Sequence, residues 1–126
     1  MPHYLLQASY TSDAWAALAQ EPEDRIEAIK PVVQRLGGRV LSGYLSFGEF
    51  DILAIVEMPD AVSAAAFSMA SSGGGAIRVR RTTLLLTPEE AKQAMRMAGG
   101  SAYPIPNALQ SALAQDAADL VASVGE

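Results

Sequence analysis

Few side chains in this chain of 126 residues have the chemistry of a catalytic group, and Asp51 is the first of them. It lies among apolar residues in the segment FGEFDILAIVE. A carboxylate in apolar surroundings has a raised pKa and can serve as a general base or proton acceptor. It can instead stabilise the fold, either by accepting backbone N–H groups at the Gly48–Glu49 turn or by pairing with an arginine of another strand. We favour the structural role and keep Asp51 as a catalytic candidate.

Cysteine and histidine narrow the chemistry further. The chain has no cysteine, which excludes disulfides, thiolate catalysis and cysteine-based metal sites. Its one histidine, His3, excludes a metal site built from several histidines and disfavours a histidine-based triad. His3 is the second catalytic candidate, but no pair of catalytic groups has a recognisable spacing. We therefore expect no metal and no cofactor, and whether the protein is an enzyme stays open.

A basic cluster, Arg78, Arg80 and Arg81, lies in a segment with the composition of a strand. Because successive side chains alternate along a strand, Arg78 and Arg80 should share one face and Arg81 the other. These arginines either keep a solvated edge strand from aggregating or form a clamp for a ligand with a carboxylate or phosphate. Gln7 and Tyr44 are the other candidate ligand-binding residues.

The composition bounds the partners. The net charge is −5 and the isoelectric point is near 4.8, which argues against a nucleic-acid-binding surface. Apolar runs such as Leu84–Leu86 are far shorter than the roughly 20 residues that span a bilayer. The first residues, MPHYLLQASY, lack the basic region of a signal peptide, so we expect a cytoplasmic protein with no membrane partner.

The elements that must position these residues follow from apolar periodicity and capping signals. The predicted strands are His3–Tyr10, Arg39–Phe47, Phe50–Glu57 and Ala76–Leu86. The predicted helices are Ser12–Gln20, a helix starting with Pro22 at its first position and ending at Gly37–Gly38, Ala61–Ser71, a helix from Thr87 to about Ala98, and about Asn107–Val124. The order predicts an α+β, ferredoxin-like βαββαβ fold with a four-stranded antiparallel sheet and extra C-terminal helices. We expect a domain over residues 1–98, followed by a hinge and an amphipathic helix over residues 99–126.

The third predicted strand is apolar on both of its faces. Phe50, Ile52, Ala54 and Val56 alternate with Leu53 and Ile55. Two helices can cover only one face of a four-stranded sheet, so the second face needs another cover. A second copy of the sheet is the simplest candidate, and the C-terminal helix is the other. We favour a dimer in which that helix packs across to the second copy.

Several segments resemble the GYD domain family over roughly residues 3–95. They are the opening of the first strand, Gly37–Gly38, Tyr44 with the following Phe47–Asp51, Glu57–Asp60, and the arginine-bearing last strand. The resemblance implies a dimeric α+β barrel of the ferredoxin-like superfamily. The biochemical function of the family is not established, so the resemblance implies fold and assembly only.

Two functional hypotheses follow. The first is a homodimeric module, or a higher assembly of itself, that binds a small anionic or apolar molecule or mediates assembly. The second is a small cofactor-independent enzyme of the oxygenase or isomerase type, with a pocket in the barrel. In it Asp51, Tyr44, His3 and Arg78 would be the polar groups of a mostly apolar cavity.

Overall fold

Side chains alternate along the first strand, with Tyr4, Leu6, Ala8 and Tyr10 on one face and His3, Leu5, Gln7 and Ser9 on the other. The computed structural model describes residues 1–124. Its elements are β1 (His3–Tyr10), α1 (Ser12–Gln20), α2 (Arg25–Arg35), β2 (Arg39–Leu45), β3 (Ile52–Glu57), α3 (Ala61–Ser72), β4 (Ile77–Leu85), α4 (Pro88–Gly99) and α5 (Asn107–Val124). In this described part of the chain, no helix is both long and apolar enough to cross a membrane.

The four strands form one antiparallel sheet in the order β2-β3-β1-β4. This order, with α2 between β1 and β2 and α3 between β3 and β4, confirms the predicted ferredoxin-like α+β fold with additional C-terminal helices. The chain divides into two compact units, Met1–Thr87 and the residues from Pro88 onward. The sheet and helices α1 to α3 belong to the first unit.

The core of the first unit lies between α2, α3 and the Tyr4 face of the sheet. It consists of Tyr4, Val33, Ala54, Val56, Met58 and Ala64. Val33 projects from α2 and Ala64 from α3, so both helices pack on this face. On the opposite face, Leu53 and Ile55 remain half-buried and Tyr44 is 66% exposed.

Gly37 and Gly38 let α2 end tightly against β3. Gly37 has a φ of +86°, in the left-handed region that favours glycine after a helix. A Cβ atom on Gly38 would lie 2.4 Å from both the carbonyl oxygen of Glu57 and the sulfur of Met58. The close approach of these two segments therefore requires a glycine at position 38.

The hairpin between β2 and β3 differs from the prediction. β2 ends at Leu45 and β3 begins at Ile52, so a loop of residues 46–51 replaces the expected tight turn at Gly48–Glu49. The loop is closed by a 2.8 Å hydrogen bond from the Ser46 amide to the Asp51 carbonyl. It is also held to the end of β1, because the Ser9 hydroxyl donates to the Glu49 carbonyl at 2.9 Å. This long-range contact is the physical reason for the wider loop.

The start of α2 also differs. The helix begins at Arg25, and its N-cap is Asp24, whose carboxylate accepts the Glu27 amide at 3.0 Å. Pro22 therefore lies before the helix and not at its first position. An N-cap carboxylate satisfies an amide that has no partner within the helix, which explains why the cap decides where the helix begins.

Candidate functional site

Asp51 lies at the end of the 46–51 loop and is held by groups of the protein itself. Its Oδ2 atom accepts the Tyr10 amide at 2.9 Å and the Trp15 indole N–H at 3.1 Å. Its own amide donates to the Ala8 carbonyl at 2.9 Å. The carboxylate thus joins the loop to the end of β1 and to α1. The donors to this carboxylate are not those expected from the sequence, which were turn amides or an arginine.

Tyr10 connects this cluster to α2. Its ring meets the Trp15 ring edge-to-face, with 5.4 Å between the ring centroids. Its hydroxyl lies near the Arg25 guanidinium, and Arg25 also forms an ion pair with Glu23. Burial raises the pKa of Tyr10, and the nearby Arg25 opposes that rise only in part. Tyr10 is therefore a neutral phenol at pH 7.

A cavity of about 420 Å³ lies beside this cluster, between the sheet and helices α2 and α3. Its walls are mostly apolar and include Leu6, Ala28, Ile29, Val32, Ile52 and Phe67. α3 has the sequence AVSAAAFSMASS, and its small side chains leave space where larger ones would fill the gap. Sites for small molecules have volumes of about 300–1,000 Å³ and mostly apolar walls, and this cavity has both properties.

The polar groups of the cavity are few. Tyr10 and Arg25 line it in one part, and Ser68, Arg80 and Thr82 line it in another. The Ser68 and Thr82 hydroxyl oxygens are 2.9 Å apart and hydrogen-bonded to each other. Ser68 is only 7% exposed, which makes it one of the few buried polar residues in the described part of the chain.

Arg80 is exposed and borders the cavity. Within the described residues 1–124 it has no ion-pair or hydrogen-bond partner. Ser68, Arg80 and Thr82 also line a second, neighbouring cavity of about 410 Å³, together with Tyr4, Ala61 and Met69. These three residues therefore stand where the two cavities meet.

A β-bulge separates Arg80 from Arg78. Ser9 pairs with Val79 and Tyr10 with Ile77, so Arg78 is the extra residue of β4. A bulge redirects the side chains around it. Arg80, opposite Ala8, lines the cavity, while Arg78 is absent from the lining.

The remaining candidates from the sequence lie elsewhere. The His3 Nε2 atom is 3.1 Å from a Glu57 carboxylate oxygen, and Arg39 contacts the other oxygen at 3.1 Å. These bonds, that of His3 above all, lower the pKa of Glu57. Tyr44, opposite Leu53 in the sheet register, is exposed on the face away from the cavity.

Gln7 and Arg81 face each other across β1 and β4. The Arg81 guanidinium lies over the Phe50 ring, 5.3 Å from its centroid. Gln7 borders the cavity between Leu6 and Ala8, and strand alternation assigns its contribution there to the backbone. Of the six site residues predicted from the sequence, the structure thus places only Gln7 and Arg80 in the cavity lining. Asp51 contacts Tyr10, which is itself a lining residue.

Sequence reasoning missed Tyr10, Arg25, Ser68 and Thr82. Strand alternation assigns Tyr10 to the same face of β1 as Leu6. Thr82 pairs with Leu6, so it lies on that face too once the register between β1 and β4 is known. Ser68 has no such signal, since it is one of several serines in a helix of small residues. In the described part of the chain, no three histidine, aspartate or glutamate side chains are grouped in a way that could hold a metal ion.

Comparison with known proteins gives a family and two distant structures. The profile of the GYD domain family matches residues 4–95. The crystal structure of FFRP-DM1 is similar at 15% identity and a TM-score of 0.44, over 68% of this chain and 100% of that one. A transcriptional regulator from Neisseria meningitidis, solved as a complex with L-Met, is similar at 18% identity and a TM-score of 0.44, over 69% of this chain and 51% of that one. This chain thus spans about half the length of the regulator. The curated proteins gave no match.

Proposed function

Because the chain belongs to the GYD domain family, we propose that it is a homodimeric small-molecule binding protein whose ligand occupies the cavity between the sheet and helices α2 and α3. The observation that carries the proposal is the cavity itself, which has a volume of about 420 Å³ and apolar walls. Protein interiors are close-packed, and a gap of this size leaves many wall atoms without contacts. A ligand would restore those contacts.

The ligand is a small, mostly apolar molecule. Burying apolar surface contributes roughly 25 cal/mol per Å² removed from water, so the walls supply most of the affinity. The few polar groups fix orientation and specificity. Arg80 is the candidate among the arginines of β4 for contact with an anionic group, because it borders the cavity and Arg78 does not.

The dimer forms through the face of the sheet that α2 and α3 do not cover. Leu53 and Ile55 on β3 are half-buried there, beside Leu5 on β1. When such a face packs on a second copy, its apolar side chains are removed from water, which favours association. The exposed Tyr44 lies on the same face and is a candidate interface residue, since aromatic residues are enriched in protein interfaces.

A cofactor-independent enzyme has less support. The Asp51 Oδ2 atom already accepts two hydrogen bonds from the protein, and His3 contacts Glu57. Neither side chain lines the cavity. A general base must reach the proton that it removes, and these two candidates are held away from the proposed ligand.

Native mass spectrometry of freshly purified protein tests both parts of the proposal. We expect a dimer that carries additional mass, and gentle collisional activation should release that mass as a small molecule. Protein refolded from denaturant, and so freed of ligand, is the control and should be a dimer of the mass given by the sequence. A monomer would contradict the assembly. A dimer that neither retains nor takes up any small apolar compound would contradict the binding function.

A further inference from the structure

We propose that the ligand is an apolar monocarboxylate, whose carboxylate is bound by Arg80 together with the Ser68–Thr82 hydroxyl pair. The inference rests on the proposed binding function and adds the chemical class of the ligand. It follows from three properties of the cavity. Within the described residues, one of its arginines has no ion-pair partner, one hydroxyl proton makes no hydrogen bond, and the polar groups together can bind a single negative charge.

The two arginines that line the cavity differ in whether their positive charge has a partner within the protein. The charge of Arg25 is paired with the Glu23 carboxylate, and Arg25 lies near the neutral phenol of Tyr10. Arg80 has no ion-pair or hydrogen-bond partner among residues 1–124. A guanidinium presents several N–H donors in a planar fork that matches a carboxylate. An anionic group entering the cavity therefore gains more at Arg80 than at Arg25.

The hydroxyl pair supplies one further donor. Each hydroxyl has one proton, and the Ser68–Thr82 bond uses one of the two. The other proton has no acceptor in the described part of the chain and can be donated to a ligand oxygen. Thr82 lies two residues after Arg80 on β4, so both side chains project from the same face of the strand, about 7 Å apart along it.

These groups match one negative charge. A carboxylate has two oxygens and a single charge, which one guanidinium and one hydroxyl can satisfy. A phosphate carries up to two charges and three oxygens at pH 7, and it would leave part of its charge uncompensated beside apolar walls. The serines at the end of α3 do not make up the difference, because the Ser71 and Ser72 hydroxyls already donate to the Ser68 carbonyl.

The apolar part of the ligand extends along Ile29, Val32, Ile52 and Phe67. These four side chains carry no polar group. Tyr10 and Arg25 line another part of the cavity, but the Arg25 charge is already paired with Glu23, so a second anionic end would gain little there. The cavity thus favours a molecule with a single anionic head and a hydrocarbon body.

Titration calorimetry with octanoate, octan-1-ol, octylamine and octyl phosphate tests the inference on the full chain. We expect octanoate to bind most tightly. Arg80→Gln should weaken octanoate binding by roughly 10- to 100-fold, because a hydrogen bond to a charged group contributes about 1.5–3 kcal/mol and 1.4 kcal/mol is tenfold. The same variant should leave octan-1-ol binding unchanged.

Arg78→Gln is the matched control, since it removes the same charge from the same strand outside the cavity lining, and octanoate should bind it as it binds the original protein. Thr82→Val keeps the shape of the side chain and should weaken octanoate severalfold. Arg80→Lys should recover part of the affinity because it keeps the charge. Thermal melts of all variants establish that each is folded.

The outcomes distinguish the binding function of the cavity from its preference for a carboxylate. If octanoate and octan-1-ol bind equally and Arg80→Gln changes neither, the cavity binds apolar molecules and the carboxylate inference is wrong. Tighter binding of octyl phosphate would also overturn the monocarboxylate class. If none of the four probes binds, the proposed binding function fails together with the inference.

Discussion

The carboxylate of Asp51 holds three segments together. One oxygen accepts the Tyr10 amide at the end of β1 and the Trp15 indole on α1, while the backbone of Asp51 closes the 46–51 loop. A hydrogen bond to an ionised acceptor contributes more than a neutral one, and its loss leaves the donor unsatisfied. At the scale of the residue, these contacts favour the structural role of Asp51 over the catalytic one.

We expect Asp51→Asn to lower the free energy of unfolding by about 1–3 kcal/mol, because the uncharged amide oxygen accepts weaker hydrogen bonds from both donors. Urea denaturation followed by tryptophan fluorescence measures the change. Glu49→Gln in the same loop is the control and should have little effect, since the loop uses the Glu49 backbone carbonyl. An unchanged urea midpoint in Asp51→Asn would show that the carboxylate is dispensable for stability.

At the scale of the elements, the ends of α2 and β3 must approach closely for the core to form. Gly38 permits this approach, because any side chain there would overlap the Glu57 carbonyl, which is part of a strand and cannot move aside. Gly43 is also crowded, but its neighbours are atoms of the Ile26 side chain, which can rotate.

We therefore expect Gly38→Ala to destabilise the protein by about 1–3 kcal/mol or more, the range for overpacking in a closely packed core. Gly43→Ala adds the same methyl group and should cost less. Thermal and urea unfolding of both variants measure the difference. Equal stabilities would contradict the view that contact with backbone, rather than crowding alone, makes Gly38 necessary.

Local signals predicted most of the elements. Residue composition and apolar periodicity indicated β1, α1 and α5 with the bounds that the structure has, although the N-cap of α1 is Thr11. The 46–51 loop was not predictable, because Ser9 and Tyr10, some 40 residues earlier in the chain, hold it in place.

Prediction of the site is limited for the same reason, since the site also depends on contacts between distant parts of the chain. Arg80 was found from its charge, but the cavity depends on how the small side chains of α3 pack beside α2 on the same face of the sheet.

At the scale of the whole molecule, the sheet of the first unit has two faces with different proposed tasks. The face under α2 and α3 contains the cavity, and the opposite face, with Leu53 and Ile55, is the proposed dimer surface. The sequence indicated a second apolar face of β3, but it could not locate a cavity between packed elements. The central claim is that the ligand binds under the helices and not on the open face.

Methyl-labelled protein titrated with octanoate tests that claim most directly by nuclear magnetic resonance. We expect intermolecular Overhauser effects from the octanoate chain to the methyl groups of Ile29 and Val32, which line the cavity. The methyl groups of Leu53 and Ile55 are the internal control and should show none. Contacts to Leu53 and Ile55, with none to Ile29 and Val32, would place the ligand on the open face and contradict the account.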